Sequence, residues 1–101
     1  MNAAVFHALG DPTRLEIVAR LSAAGSLPLG KLTEGLAMSR QAAAKHVQVL
    51  RSSGLVVVED RGRQALCSLQ PEQLRQAELW IAGLAAQWDG RLEALRVFVE
   101  D

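Results

Sequence analysis

Apolar residues along the chain follow two different periods. Val5, Phe6 and Leu9 share one face of a helix predicted over Ala3–Leu9, which Gly10 closes. Asp11-Pro12 then restarts the chain. The Asp11 carboxylate suits an N-cap, and Pro12 loses nothing at the first helical position because its missing N–H would have no partner there. This second helix should reach about Ala24, stopped by Gly25. Leu15, Ile17, Val18 and Leu21 give it an apolar face wide enough to be mostly buried. Leu29, Leu32 and Leu36 keep helical spacing and predict a short third helix. Gly35 should lie near its end, since glycine inside a helix costs about 1 kcal/mol relative to alanine. Ser39 is a second N-cap. The helix beyond it, Arg40 to about Ser52, buries Ala43, Val47 and Leu50 and ends at Gly54.

From Leu55 the period falls to two. Leu55–Glu59 is short and rich in valine, Asp60-Arg61-Gly62-Arg63 supplies a turn, and Ala65, Cys67 and Leu69 alternate with Leu66 and Ser68 as a half-buried return strand does. Pro71 opens a long last helix over about residues 71–99, in which Leu74, Ile81, Trp88 and Leu95 recur every seven residues. At 1.5 Å per residue such a helix is about 42 Å long, more than a body of this size can cover. The surplus stripe predicts that a second copy packs on it. The pattern as a whole predicts a mainly α single domain over residues 1–101. It reads as a winged helix-turn-helix with a β-hairpin wing at about 55–69 and a long C-terminal dimerisation helix.

Charge at first argues against a nucleic-acid partner: 11 basic and 11 acidic residues give a net charge of zero. Distribution changes that picture. From Ser39 to Arg63 the positives are Arg40, Lys45, Arg51, Arg61 and Arg63 against Glu59 and Asp60, whereas from Pro71 onward six acids face three arginines. The basic half coincides with the fourth helix and the wing. No apolar run approaches the roughly 20 residues of a membrane helix. The first residues also lack the basic-then-apolar layout of a secretory signal. A soluble, cytoplasmic protein is expected.

A helix that enters the major groove must anchor one face and present polar groups on the other. Gln41, Ala44, Lys45 and Gln48 lie at i, i+3, i+4 and i+7, opposite Ala43, Val47 and Leu50. Gln41 and Gln48 have the amide geometry to read adenine edges, and Lys45 reaches guanine or phosphate. Ala44 permits close approach or touches a thymine methyl. Ser39 and Arg40 sit at the helix N-terminus, where free N–H groups favour a phosphate. Arg61 and Arg63 on the wing would contact backbone or minor groove.

The stretches Phe6-His7-Ala8-Leu9-Gly10-Asp11-Pro12-Thr13-Arg14 and Met38-Ser39-Arg40-Gln41-Ala42-Ala43-Ala44-Lys45-His46-Val47-Gln48-Val49-Leu50-Arg51-Ser52-Ser53-Gly54-Leu55 resemble the ArsR-type winged-helix repressors. The resemblance implies a homodimer paired through the first and last helices. Val5, Leu9, Leu74, Ile81, Leu84, Trp88, Leu92 and Leu95 would then form its seam. It also implies an imperfect palindromic operator in double-stranded DNA, released on a signal. Dimers of this kind meet two half-sites about one DNA turn apart. Metal-sensing members carry cysteines on the third helix or histidines on the last. Residues 29–36 contain no thiolate or imidazole and the last helix no histidine, so this chain resembles the branch without a metal site. No metal and no cofactor are expected, and the effector is left open.

Cys67 admits two readings, a buried thiol or an oxidant sensor beside the wing; a low thiol pKa would need a cationic neighbour. His46 on the fourth helix is read as half-buried and as fixing packing. Trp80 falls off the heptad stripe and is read as a rim residue, whereas Trp88 falls on it. With no phosphate-binding glycine loop and no nucleophile near a histidine and an acid, catalysis is not expected. Besides the repressor, two other readings remain: a winged-helix module that binds protein rather than DNA, and a Cys67-based redox-sensing repressor.

Overall fold

A computed structural model describes residues 3–100. Helix α1 spans Ala3–Leu9 and α2 spans Pro12–Ala24. The restart between them is built as expected: the Asp11 carboxylate accepts from the Arg14 backbone N–H at 3.1 Å, with Pro12 at the first turn. The apolar face of α2 is narrower than its sequence predicts. Ile17 and Leu21 are wholly buried, while Leu15 stays half-exposed.

The third helix is shorter than predicted. Helix α3 covers only Leu29–Leu32. Thr33 closes it by donating from Oγ1 to the Leu29 carbonyl at 3.0 Å, and Gly35 then takes φ +79°. Leu36 therefore packs on the core from a turn, although its spacing reads as helical. Arg20 of α2 holds this turn, because its Nη1 donates to the carbonyls of Leu32 at 3.0 Å and Glu34 at 2.7 Å.

Helix α4 spans Arg40–Ser52, capped by the Ser39 hydroxyl, which accepts from Ala42 N–H at 3.1 Å. Ala43, Val47 and Leu50 are buried, as their spacing requires. Gly54 follows at φ +85°. At the wing the strands run further than expected. Val56–Arg61 forms one strand and Gln64–Leu69 its return, so Asp60 and Arg61 belong to the ladder and the turn is Gly62-Arg63, with Gly62 at φ +64°. A two-residue hairpin turn needs such a left-handed position, which glycine takes without strain.

Ser26–Pro28 adds a strand that the hydrophobic pattern does not announce. Numbered along the chain, it is β1, the Val56–Arg61 strand β2 and the Gln64–Leu69 strand β3. The antiparallel sheet has the order β1-β3-β2, with Cys67 opposite Leu27 on one side and Val58 on the other. Val5, Ala8, Ile17, Leu21, Leu32, Leu50, Leu55 and Cys67 are wholly buried and make one core under the helices and the sheet.

Helix α5 runs Pro71–Glu100. Ala77 is its last buried residue; every described residue beyond it is exposed. At 1.5 Å per residue the helix is about 45 Å long, and it stretches the chain to 68 × 26 × 22 Å. Among the described residues no helix is long and apolar enough to cross a membrane.

Candidate nucleic-acid interface

The sequence places eight side chains on a DNA-facing surface, and the fold leaves all of them in solvent. Ser39, Arg40, Gln41, Ala44, Lys45 and Gln48 are exposed along α4, and Arg61 and Arg63 are exposed on the wing. Its own Ala43, Val47 and Leu50, buried on the inner side, hold α4, so its outer face presents without costing core contacts. Gln48 is partly engaged, donating from Nε2 to Ser52 Oγ at 3.2 Å. Arg61 is paired within its own strand, 3.2 Å from the Glu59 carboxylate, with both side chains well exposed. Such a pair contributes little to stability and leaves the guanidinium accessible.

Helix α3 joins the two halves of this surface. On one side it shares a groove with the wing, lined by Lys31, Glu34, Arg63 and Gln64. On the other a groove meets α4 along Thr33, Gly35, Arg40 and Ala44, again with Glu34. Lys31 and Glu34 are 3.7 Å apart and largely exposed. Neither residue is among the sequence-predicted contacts, because both precede the basic stretch that begins at Ser39. Placing the third helix beside the wing would have brought Lys31 in.

A second cluster lies behind α4. His46 is half-buried, as expected, and its Nδ1 is 3.2 Å from Arg14 Nη1 and 3.8 Å from Asp11 Oδ2. The backbone N–H of Arg14 holds the Asp11 carboxyl below the usual carboxylate range, opposed by partial desolvation. In the sequence Arg14 is the last residue of the Phe6–Arg14 stretch. Nothing in its local pattern announces a partner 32 residues away.

The expected seam divides in three. Ile81, Leu84, Trp88, Leu92 and Leu95 are all about half exposed on the projecting part of α5. Leu9 and Leu74 are partly buried against the core. Val5 does not belong to that surface: it is wholly buried inside its own chain and has no area to offer a partner. The sequence alone cannot separate Val5 from Leu9, since both lie on the apolar face of α1. Trp80 packs on Phe6, as an edge residue of α5 would. Cys67 is wholly buried, and burial pushes its thiol up against a smaller opposing effect of the Arg51 charge. Among the described residues, no group of three or more His, Cys, Asp or Glu side chains is placed to hold a metal ion.

Residues 9–59, which carry α2 to α4 and most of the first wing strand, match the helix-turn-helix domain family. Over 78 residues the chain is 38% identical to YuzN, an uncharacterised HTH-type transcriptional regulator of Bacillus subtilis (strain 168), covering 71% of this chain and 85% of that protein. Its fold is similar to an ArsR-like transcriptional regulator from Rhodococcus sp. RHA1, at TM-score 0.78 and 36% identity over 92% of this chain and 87% of the other. A second solved ArsR family transcriptional regulator aligns at TM-score 0.79 and 30% identity, over 85% and 88% of the two chains. The chain belongs to the ArsR-type winged helix-turn-helix transcriptional regulators, DNA-binding proteins rather than enzymes.

Proposed function

We propose that the chain is a single winged domain that represses transcription in the cytoplasm as a homodimer. It sits on a palindromic operator near its own or a neighbouring gene. The observation that carries this reading is the pairing of two surfaces on one small body. One is the exposed polar face of α4, flanked by an arginine-bearing wing. The other is the half-exposed apolar stripe of α5, which stands clear of the core. A twofold axis through α5 would present two copies of α4 to DNA, with half-sites about one turn apart. Gln41 and Gln48 then read base edges, Lys45 reads guanine or phosphate, and Ser39, Arg40, Arg61 and Arg63 hold the backbone.

The test is fluorescence anisotropy on a duplex from the region upstream of the gene, against a scrambled duplex, at two salt concentrations. A specific repressor prefers the upstream fragment and loses affinity steeply with salt. Gln41→Ala should lose about 1–3 kcal/mol of discrimination at one base position. Equal losses on both duplexes would remove Gln41 as a base reader. No binding even at low salt would favour a protein-interaction module instead.

A further inference from the structure

Arg14 spends three nitrogens on three different partners. Nε donates to the Ala8 carbonyl at 2.6 Å, Nη2 to the His7 carbonyl at 3.2 Å, and Nη1 contacts His46 Nδ1 at 3.2 Å. The first two partners are carbonyls of the last turn of α1; the third lies in the middle of α4. One planar side chain therefore ties the end of α1 to the helix that carries Gln41, Lys45 and Gln48. A guanidinium has donors only. For this contact to be a hydrogen bond His46 Nδ1 must accept, as it does in the neutral ring that carries its proton on Nε2. Asp11 Oδ2, 3.8 Å from the same nitrogen, is too far for a hydrogen bond to a neutral ring but near enough to attract a charged one.

A proton on His46 Nδ1 removes the lone pair that Arg14 uses. The imidazolium repels the guanidinium and has the Asp11 carboxylate as its alternative. The charged and titratable groups placed against the ring are Asp11 from the α1–α2 turn and Arg14 from α2; Lys45 precedes it on α4, and His7 of α1 meets Arg14 through its backbone carbonyl. Among the described residues, only Arg14 both bonds the ring and reaches α1. Helices that read bases work when held to about 0.5 Å and 10–20°, and this contact sits one residue from Lys45.

We infer that Arg14 is a positioning residue that, through neutral His46, holds α4 against the end of α1 in its DNA-binding attitude, so that affinity for DNA falls when His46 is protonated. The inference rests on the reading of α4 as the helix that enters the groove.

The experiment follows binding of a fluorescein-labelled upstream duplex from about pH 8 to 5.5, the range in which imidazoles titrate, at constant ionic strength. Wild type is compared with His46→Asn and His46→Ala. Asparagine places a carbonyl oxygen near the position of Nδ1 and keeps a lone pair at every pH; alanine keeps none. On acidification, wild type should lose about tenfold in affinity relative to His46→Asn, the scale of a hydrogen bond to a charged group. His46→Ala should be weak and flat at both ends. His7 is present in all three proteins, so the difference between profiles belongs to His46. Thermal unfolding checks each variant, and His46→Asn decides the matter even if His46→Ala does not fold. Parallel profiles for wild type and His46→Asn overturn the inference, as would a neutral His46 protonated on Nδ1 by nitrogen NMR. A Gln41→Ala control separates the two ideas. If it leaves binding unchanged, the assignment of α4 to the groove fails. If it weakens specific binding while the profiles stay parallel, only the role of Arg14 fails.

Discussion

Phe6 of α1 and Trp80 of α5 meet with ring centroids 5.3 Å apart and planes inclined at 54°. They meet one turn beyond Ala77, where α5 leaves the core. Everything further along that helix depends on the direction set here. Tilted aromatic pairs contribute about 0.5–1.5 kcal/mol beyond the area they bury. A double-mutant cycle of Phe6→Leu and Trp80→Leu, followed by urea unfolding at fixed protein concentration, should give a coupling of that size. Strictly additive losses would mean that the rings touch without holding the helix.

The stripe from Ile81 to Leu95 makes the second prediction. A single helix projecting into water is only marginally stable on its own, and this one also leaves Trp88 60% exposed. Sedimentation should therefore find a dimer at micromolar concentration, with Trp88 emission shifted to the blue. Leu84→Glu should return the chain to monomer and reduce its helical circular dichroism as the end of α5 frays. A native protein that sediments as a monomer would remove the proposed partner copy.

Local signals were legible wherever the chemistry was local. Asp11-Pro12 and Ser39 mark helix starts through contacts three residues long, and the period-two run from Leu55 marks the wing. The three-residue strand Ser26–Pro28 was not legible, because its pairing with Gln64–Leu69 joins segments some 40 residues apart. Leu36 misled for a related reason: spacing reports which side a residue faces, and a turn can face the core as a helix does. The exposed polar face of α4 could be read because it sits opposite a buried stripe on the same helix. Arg14 could not, since its role comes from a contact between α2 and α4 that only the folded chain brings together.

Lys45 and Arg61 should behave differently on DNA. Lys45 stands exposed on α4, and Lys45→Ala should weaken binding to all duplexes and reduce the salt slope by about one. Arg61 shares its charge with Glu59, which also brings a negative group to the wing. Glu59→Gln should therefore tighten binding to upstream and scrambled duplex alike, with little change in stability. Titrations of both variants over a range of salt distinguish the cases. A Glu59→Gln gain confined to the upstream duplex would mean that Glu59 contributes to sequence readout.

Cys67 decides between a structural thiol and an oxidant sensor. It lies on the central strand between Leu27 and Val58, wholly buried, and burial holds its thiol above the ordinary value of about 9. A protonated thiol is a poor nucleophile. Labelling with a disulfide reagent at neutral pH should be slow and should accelerate with urea in step with unfolding, and peroxide should leave DNA binding intact. The same shift has a consequence for stability. The unfolded chain gives up this proton first, so the contribution of Cys67 is intact below about pH 9 and is lost as pH rises through the higher folded value. Cys67→Ala should cost stability at neutral pH because it leaves a small cavity, yet lose less than wild type between neutral and strongly alkaline pH. Cys67→Ser should cost about 1–3 kcal/mol if the buried hydroxyl finds no partner. Urea melts at several pH values measure both effects. Rapid labelling of the folded chain at neutral pH would instead reveal an accessible thiolate and restore the sensor reading.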